Sequence, residues 1–496
     1  SGDSGDSGCD VAGSNFATNG LGVNGLGSTP YNIAVGGTDF YMPTGGTAYW
    51  NTTNNSSTQA SVKGYIPESP WNESCTNPAL ATTNIFTGQT PEQVCNNVTA
   101  ANYGLLSVIG GGGGASTCTR SNGTSPGSCS AGYRKPSWQS GTGVPSDGQR
   151  DVPDVSLFSG SGFFGAFYVV CRQSGNPDGQ PCSLTAPAYD FAGYGGTSVA
   201  TPAFAGILSL VNQKTGSRLG NANYVLYNLA NQQVKSGVPC NSATGNLYAG
   251  CVFNDVTTGG IAMPCLKSSP NCTTTTSSDR YGVTSGWKGA AGYDLATGLG
   301  SVNAANLVNA WTSATFTATS TALTLTPSVI AHGSAVSATI NVTSASGTPT
   351  GSVSINALAS NGAVQAGVLN NGSYSGSLSN FPGGSYSVRA HYAGDGVYAA
   401  SDSNPIDLTV TPEASTTRLQ TLFYNFATGN ASRVSTASYG SLILVRADVA
   451  GVIGQGIATG NVALTDSGAP LDGGSFRLNS SGYTEDQTSL LAPGPH

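Results

Sequence analysis

The sequence predicts an α/β domain with a largely parallel sheet over residues 1–312, followed by all-β sandwich modules. Three observations carry this. Before residue 312, apolar β-branched and aromatic runs alternate with amphipathic runs of helix length, the pattern of mixed strand and helix layers. At "TSATFTATSTA", residues 312–322, the composition changes, and short alternating strands with Gly/Asn/Ser turns follow. All 11 cysteines lie between Cys9 and Cys272, so the two parts also differ in cross-linking chemistry.

Each element follows from its residues. "PYNIAVGGTDF" and "FGAFYVVC" have the composition of buried strands. In "TSVATPAFAGILSLVNQKTGS", Val199, Ala203, Gly206, Ile207, Leu210 and Val211 recur at helical spacing, and Gly216 is placed to stop the helix. "NYVLYNLANQQ" and "SVNAANLVNAWTSA" read as two further helices. A Thr/Ser/Ala linker is expected at 313–322, then one sandwich at 323–412. A second, partial copy is expected at 413–496, where "TGNVALTDSGAPLDGGSF" echoes "TGSVSINALASNGAV".

Charged residues make up 8% of the chain, against roughly 25% in an average soluble protein, and the net charge is -7. Without a Lys/Arg cluster, a surface that tracks nucleic-acid phosphates is excluded. No apolar run reaches the ~18 residues needed to span a membrane. A chain with few ion pairs has few to lose in acid, which is compatible with acidic surroundings. The cysteines fall into neighbouring couples (Cys75/Cys95, Cys118/Cys129, Cys171/Cys182, Cys240/Cys251, Cys265/Cys272) that could be local disulfides, with Cys9 left over. No C-x-x-C pair occurs, so oxidised staples in a secreted protein are favoured over zinc or thioredoxin-type chemistry. The opening "SGDSGDSGCD" reads as the interior of a longer chain, and "LLAPGPH" suggests the same at the other end.

Ser198, in "GYGGTSVATPAFAG", stands at the start of the longest expected helix. Free backbone N–H groups and the helix dipole favour negative charge there. An N-cap serine is the commoner use of such a residue. The three histidines, His332, His391 and His496, all follow Ser198. The full string "GGTSVATPAFAG" nevertheless resembles the G-T-S-x-x-x-P nucleophile motif shared by subtilisins and sedolisins, the serine-carboxyl peptidases. Subtilisins need a His before the Ser, whereas sedolisins use a Glu with an Asp behind it and a second Asp at the oxyanion hole. Asp3 in "SGDSGDSGCD" is similar to that last motif. "YNIAVGGTDF", "GGGGAS" with "YRKPSWQ", and "RDVPDVS" resemble further landmarks in the family's order, the kumamolisin-like branch being closest.

The resemblance covers residues 1–312 and implies a subtilisin-like α/β catalytic domain, incomplete at its N-terminus. It implies Ser198 as nucleophile and Asp3 as a neutral acid stabilising the oxyanion, hence an acid optimum, on a protein or peptide substrate. The triad Glu and Asp, and a pro-segment, are expected upstream, so the fragment by itself is expected to be inactive. Glu68, Glu73 and Glu92 precede Ser198, but none stands four residues before an Asp. In "IPESPWNESC", Glu68 and Glu73 read as solvated surface. "FNDVTTG" and "AAGYDLATGLGSVN" resemble the family's calcium site, which implies Ca²⁺ held by Asp255 and Asp294 with carbonyls of Val256, Ala290 and Gly292. Ala290 replaces the usual Gly, and the plainer reading of both Asp residues is as turn formers.

The run Gly110 to Gly114 lacks the Gly-Lys-Ser/Thr of a P-loop and reads as a flexible loop beside the substrate groove. Asp154 reads as a strand brace. "GTPTGSVSI…GSYSVRAHYAGDGVYAASDS" resembles bacterial Ig-like repeats of secreted and surface proteins, so contact with a cell surface or polymer is expected of that part. The expectation is a secreted, bacterial, acid-acting serine-carboxyl endopeptidase. The alternative is a noncatalytic extracellular adhesive protein in which a degenerate peptidase domain displays Ig-like modules.

Overall fold

The computed structural model describes all residues except 43–45, 119–131, 164, 172–190, 218, 245–247, 358–361, 380, 426–427, 455 and 489–490. The protein is mostly β with few helices, and it divides into two compact units, 1–317 with 395–398, and 318–394 with 399–496.

The first unit is built on a five-stranded sheet, in the order Glu68–Pro70, Val35–Phe40, Val155–Phe158, Ser301–Val302, Phe253–Asn254. The pairings of Val35–Phe40 with Val155–Phe158, and of the latter with Ser301–Val302, are parallel. Both edges are antiparallel, so the largely parallel sheet expected from the sequence is confined to the centre. The edge strands have two and three residues, too few to leave a periodic signal.

Three helices, Thr197–Thr215, Asn223–Lys235 and Ala304–Ala310, cover the sheet. Ala200, Phe204, Val211, Leu226 and Leu307 pack with Val35, Val155, Phe253 and Val302 in the main core. The helix at Ser198 forms and ends at Gly216 (φ +63°) as expected, but its buried face is 200/204/211 with Ile207 and Leu208 alongside. Leu210 is 51% exposed, so the expected face was turned by about one residue. Tyr168–Cys171 corrects a second expectation, because it is an exposed hairpin arm paired with Phe191–Tyr194 and not a buried strand.

Cys75–Cys95, Cys240–Cys251 and Cys265–Cys272 are disulfide-bonded, and Cys9 is free and exposed. Cys118 and Cys171 are bonded too, while Cys129 and Cys182 lie outside the described residues.

The second unit begins earlier than the expected linker allows, since Thr319–Thr326 is already a strand paired with Val336–Ser344. Its first module stacks a three-stranded sheet (Thr319–Thr326, Val336–Ser344, Ser373–Leu378) with a six-stranded one. Leu323, Leu325, Val336, Ala338, Ile340, Val353, Ile355, Val388, Ala390, Leu408 and Val410 point inward at every second position, as a sandwich requires. The following module has a four-stranded and a two-stranded sheet around Ile443, Val445, Ala447 and Leu464.

Candidate active site

Ser198 is the second residue of its helix and is exposed. Gly196 occupies the N-cap position, and no side chain of the adjoining residues caps the helix, so Ser198 is not the N-cap serine. The cap comes from 194 residues away: Thr197 donates to Asp3 Oδ1 from its backbone N–H (2.9 Å) and from its hydroxyl (2.6 Å). Asp3 Oδ2 turns toward Gly196, where a Cβ would lie 2.8 Å from it. With φ of +85° as well, that position excludes any side chain. Pro202 has no N–H to offer the Ser198 carbonyl, so that oxygen also lacks its helical partner. The two residues singled out in the sequence, Asp3 and Ser198, therefore meet at one turn. Among the described residues no side chain hydrogen-bonds the Ser198 hydroxyl.

Asp3 is held by its backbone. Gly110 donates to the Asp3 carbonyl (3.1 Å), Gly5 donates to the Gly110 carbonyl (2.9 Å), and Gly112 donates to Gly2 (2.9 Å). On the other side Gly111 donates to Trp71 (2.8 Å), and Glu73 donates to Ile109 (3.0 Å). The glycine run is thus a buried rail between two chain segments, which corrects the flexible loop expected from its composition. The glycines are there for close approach: a Cβ on Gly113 would lie 2.0 Å from the Leu295 carbonyl oxygen, and one on Gly112 2.5 Å from that of Ser1.

The glutamates are not solvated surface. Glu68 is buried in the edge strand, where it accepts from Ser301 Oγ (2.7 Å) and from the Tyr65 hydroxyl; burial pushes its carboxyl up. Glu73 is buried and accepts from the Ser161 N–H (2.7 Å) and hydroxyl. Glu92 accepts from the Thr275 and Thr276 N–H groups and the Thr275 hydroxyl. None of the three hydrogen-bonds the Ser198 hydroxyl among the described residues. Beside Glu73 lies Asp39, whose carboxyl burial pushes up to about 7, with the charges of Glu73 and Glu68 adding to the rise and the Phe40 N–H opposing it.

Arg150 and Asp154 form a fully buried ion pair (2.6 Å) in which Asp154 also accepts from the Ala34 N–H (2.8 Å) and the Tyr227 hydroxyl (2.9 Å). Asp154 is the strand brace the sequence suggests.

The candidate calcium residues also converge. Asp255 Oδ2 accepts from Gly292 N–H and Asp294 Oδ2 from Ala290 N–H, each at 3.0 Å. The Val256 carbonyl oxygen lies 2.5 Å from where a Cβ on Gly289 would be. Asp294 Oδ1 accepts from the Ala296 and Thr297 N–H groups, the work of a turn former, and burial raises its carboxyl to about 7. Asp255 differs: its Oδ1 is buried without a hydrogen-bond partner among the described residues, and burial raises this carboxyl as well. No three His, Cys, Asp or Glu side chains converge on one metal position among the described residues.

Residues 323–411 match the model of the bacterial Ig-like domain (group 3). No curated protein matches the chain. Similar solved structures include the Yersinia pseudotuberculosis adhesin InvE (16% identity, 34% of this chain and 50% of that one, TM-score 0.23). The Escherichia coli adhesin FdeC (14%, 40% and 62%, 0.17) and the human OSCAR ligand-binding domain (17%, 36% and 87%, 0.16) are others. At these TM-scores the three likenesses decide nothing about fold or function. The Ig-like module is the part of the chain that comparison identifies, and no peptidase family is matched.

Proposed function

We propose that residues 1–312 carry the nucleophile and oxyanion half of a serine-carboxyl peptidase site on a subtilisin-like scaffold. The observation that carries this reading is the joining of Asp3 to Thr197, next to Ser198, by two hydrogen bonds across the whole unit. Both donors go to Oδ1, and Oδ2, in the acid form that the resemblance implies, would donate a hydrogen bond to an oxyanion forming on the carbonyl that Ser198 attacks. Ser198 Oγ adds to the scissile carbonyl carbon, its proton passing to a carboxylate base, and the amine leaves as the acyl-enzyme forms. The base is a Glu that the resemblance puts N-terminal to Asp3, with its Asp behind it.

A calcium ion in the Asp255 loop would be held through the unpartnered Oδ1 of Asp255, to which the resemblance adds Asp294 and the carbonyls of Val256, Ala290 and Gly292. It would supply structural cross-linking of the 255 and 290–294 segments.

A second reading has the support of the family match. The bacterial Ig-like domain at 323–411 favours an extracellular protein that contacts surfaces or polymers, with the first unit as a noncatalytic scaffold. The family match speaks for this reading, and the geometry at Asp3 speaks for the first.

One experiment separates them: NMR of a peptide aldehyde, labelled with ¹³C at its carbonyl, added at pH 4 to the protein carrying the upstream helix in which the resemblance puts the Glu and Asp. A hemiacetal that disappears in Ser198→Ala supports the peptidase site. An unreacted aldehyde in the wild-type protein leaves the surface-contact reading.

A further inference from the structure

Two carboxylates, hung on the same glycine rail, grip opposite sides of the turn that presents Ser198. Asp3 follows from the motif, whereas Glu73 reads in the sequence as solvated surface. Its backbone is tied to Ile109 as that of Asp3 is tied to Gly110, so both side chains are aimed from one backbone ladder. The Glu73 carboxylate takes both donors of Ser161. Ser161 and its neighbours in turn form the wall against which the turn rests. A Cβ on Gly195 would lie 2.4 Å from the Gly160 carbonyl oxygen and 2.5 Å from Ser161 Cα, and Gly196 donates its N–H to Ser159 (2.7 Å). The carboxylate of Asp39 touches the same wall from behind, 2.6 Å from where a Cβ on Gly160 would be.

We propose that Glu73 is a positioning residue for Ser198, fixing the 159–161 segment so that Gly195 and Gly196 can hold the turn against Asp3. Asp3 sets the turn from the side of Thr197 and Glu73 from the side of Gly195. Glu73 does not reach the reacting atoms and acts through Ser161. The inference rests on the peptidase reading only for what the turn does, because the bracing itself is a property of the fold.

The test is hydrogen exchange of the full chain, read at the 193–200 segment and at the control strand Val35–Phe40, alongside the aldehyde measurement. Glu73→Ala is expected to speed exchange at Gly196 and Thr197 about tenfold or more while leaving Val35–Phe40 unchanged. Glu73→Gln keeps an acceptor for the Ser161 N–H and a partner for its hydroxyl, so it is expected to restore protection. Ser161→Ala, at an exposed residue, removes one of the two bonds and is expected to give a smaller acceleration, on the order of threefold. It keeps the test open if Glu73→Ala does not fold. Unchanged exchange at Gly196 and Thr197 in both Glu73→Ala and Ser161→Ala overturns the proposal, as does an equal acceleration along Val35–Phe40. If the local acceleration is seen but the wild-type protein forms no hemiacetal, the bracing stands and the peptidase reading fails. If the wild-type protein forms hemiacetal and Glu73→Ala forms it with equal affinity, the positioning role fails and the peptidase reading stands.

Discussion

The sandwich unit and the N-terminal unit bury their interiors in different ways. In the sandwich, Leu323, Ile340, Val353, Val388 and Leu408 turn inward at alternate positions of long strands, and the interior is nearly all aliphatic. In the N-terminal unit, Arg150, Asp154, Asp6, Asp39 and Glu68 are as deeply buried as the apolar core, and three of them are tied to residues far away in the chain: Asp154 to Tyr227, Asp6 to Thr284 and Glu68 to Ser301. A burial pattern that repeats every second residue is written locally. A buried charge needs a partner that local sequence does not name. The comparison teaches that the first unit adds long-range polar ties to an apolar core, whereas the sandwich rests on its apolar rows.

The sharpest way to break the comparison is Arg150→Ala, which strands the Asp154 carboxylate without its guanidinium. Loss of one partner of a buried pair costs about 3–5 kcal/mol. Calorimetry of the full chain is expected to show the transition of the first unit shifted strongly down and that of the sandwich unit unmoved. Calcium is expected to act on the same transition. If the Asp255 loop binds it, the first unit gains about 2.7 kcal/mol at a hundredfold excess over Kd, and Asp255→Ala removes that gain.

Acid sharpens the contrast further. Burial pushes Asp6 and Asp39 to about 7, against an ordinary 3.8. Between about pH 4 and 7 the folded state keeps protons that the unfolded chain releases, so this contribution is fully present below about 4 and is lost as the pH rises through 7. The first transition is expected to fall over that window, with a shallower slope in Asp6→Asn and in Asp39→Asn. The smallest effect tests the helix phase: Leu210→Ala is expected to cost no more than about 0.5 kcal/mol, although Leu210 belongs to the row expected to face inward.

Legibility in the sequence follows the same division. The three helices and the Gly216 stop could be read because an amphipathic period and a left-handed cap are local. The alternation of the sandwich could be read for the same reason. At the site, Asp3 and Ser198 could be paired through motif resemblance, and in the structure Asp3 bonds Thr197, the neighbour of Ser198. Glu73 could not, because its role depends on Ser161 lying opposite, 88 residues on. The five glycines from Gly110 looked like flexibility, since composition does not distinguish a chain that needs freedom from one that needs closeness. Leu210 misled the helix reading because an exposed leucine one residue out of phase mimics the inward row.

The central claim is that the Asp3 side chain serves the Ser198 turn as the partner of the oxyanion. The most direct test is the affinity of the peptide aldehyde for the wild-type chain, Asp3→Asn and Asp3→Ala. An asparagine keeps an acceptor for Thr197 and offers an N–H where Oδ2 stands. The account predicts that Asp3→Asn holds an affinity close to that of the wild-type chain, whereas Asp3→Ala loses most of it. An Asp3→Asn protein that binds no better than Asp3→Ala would contradict it.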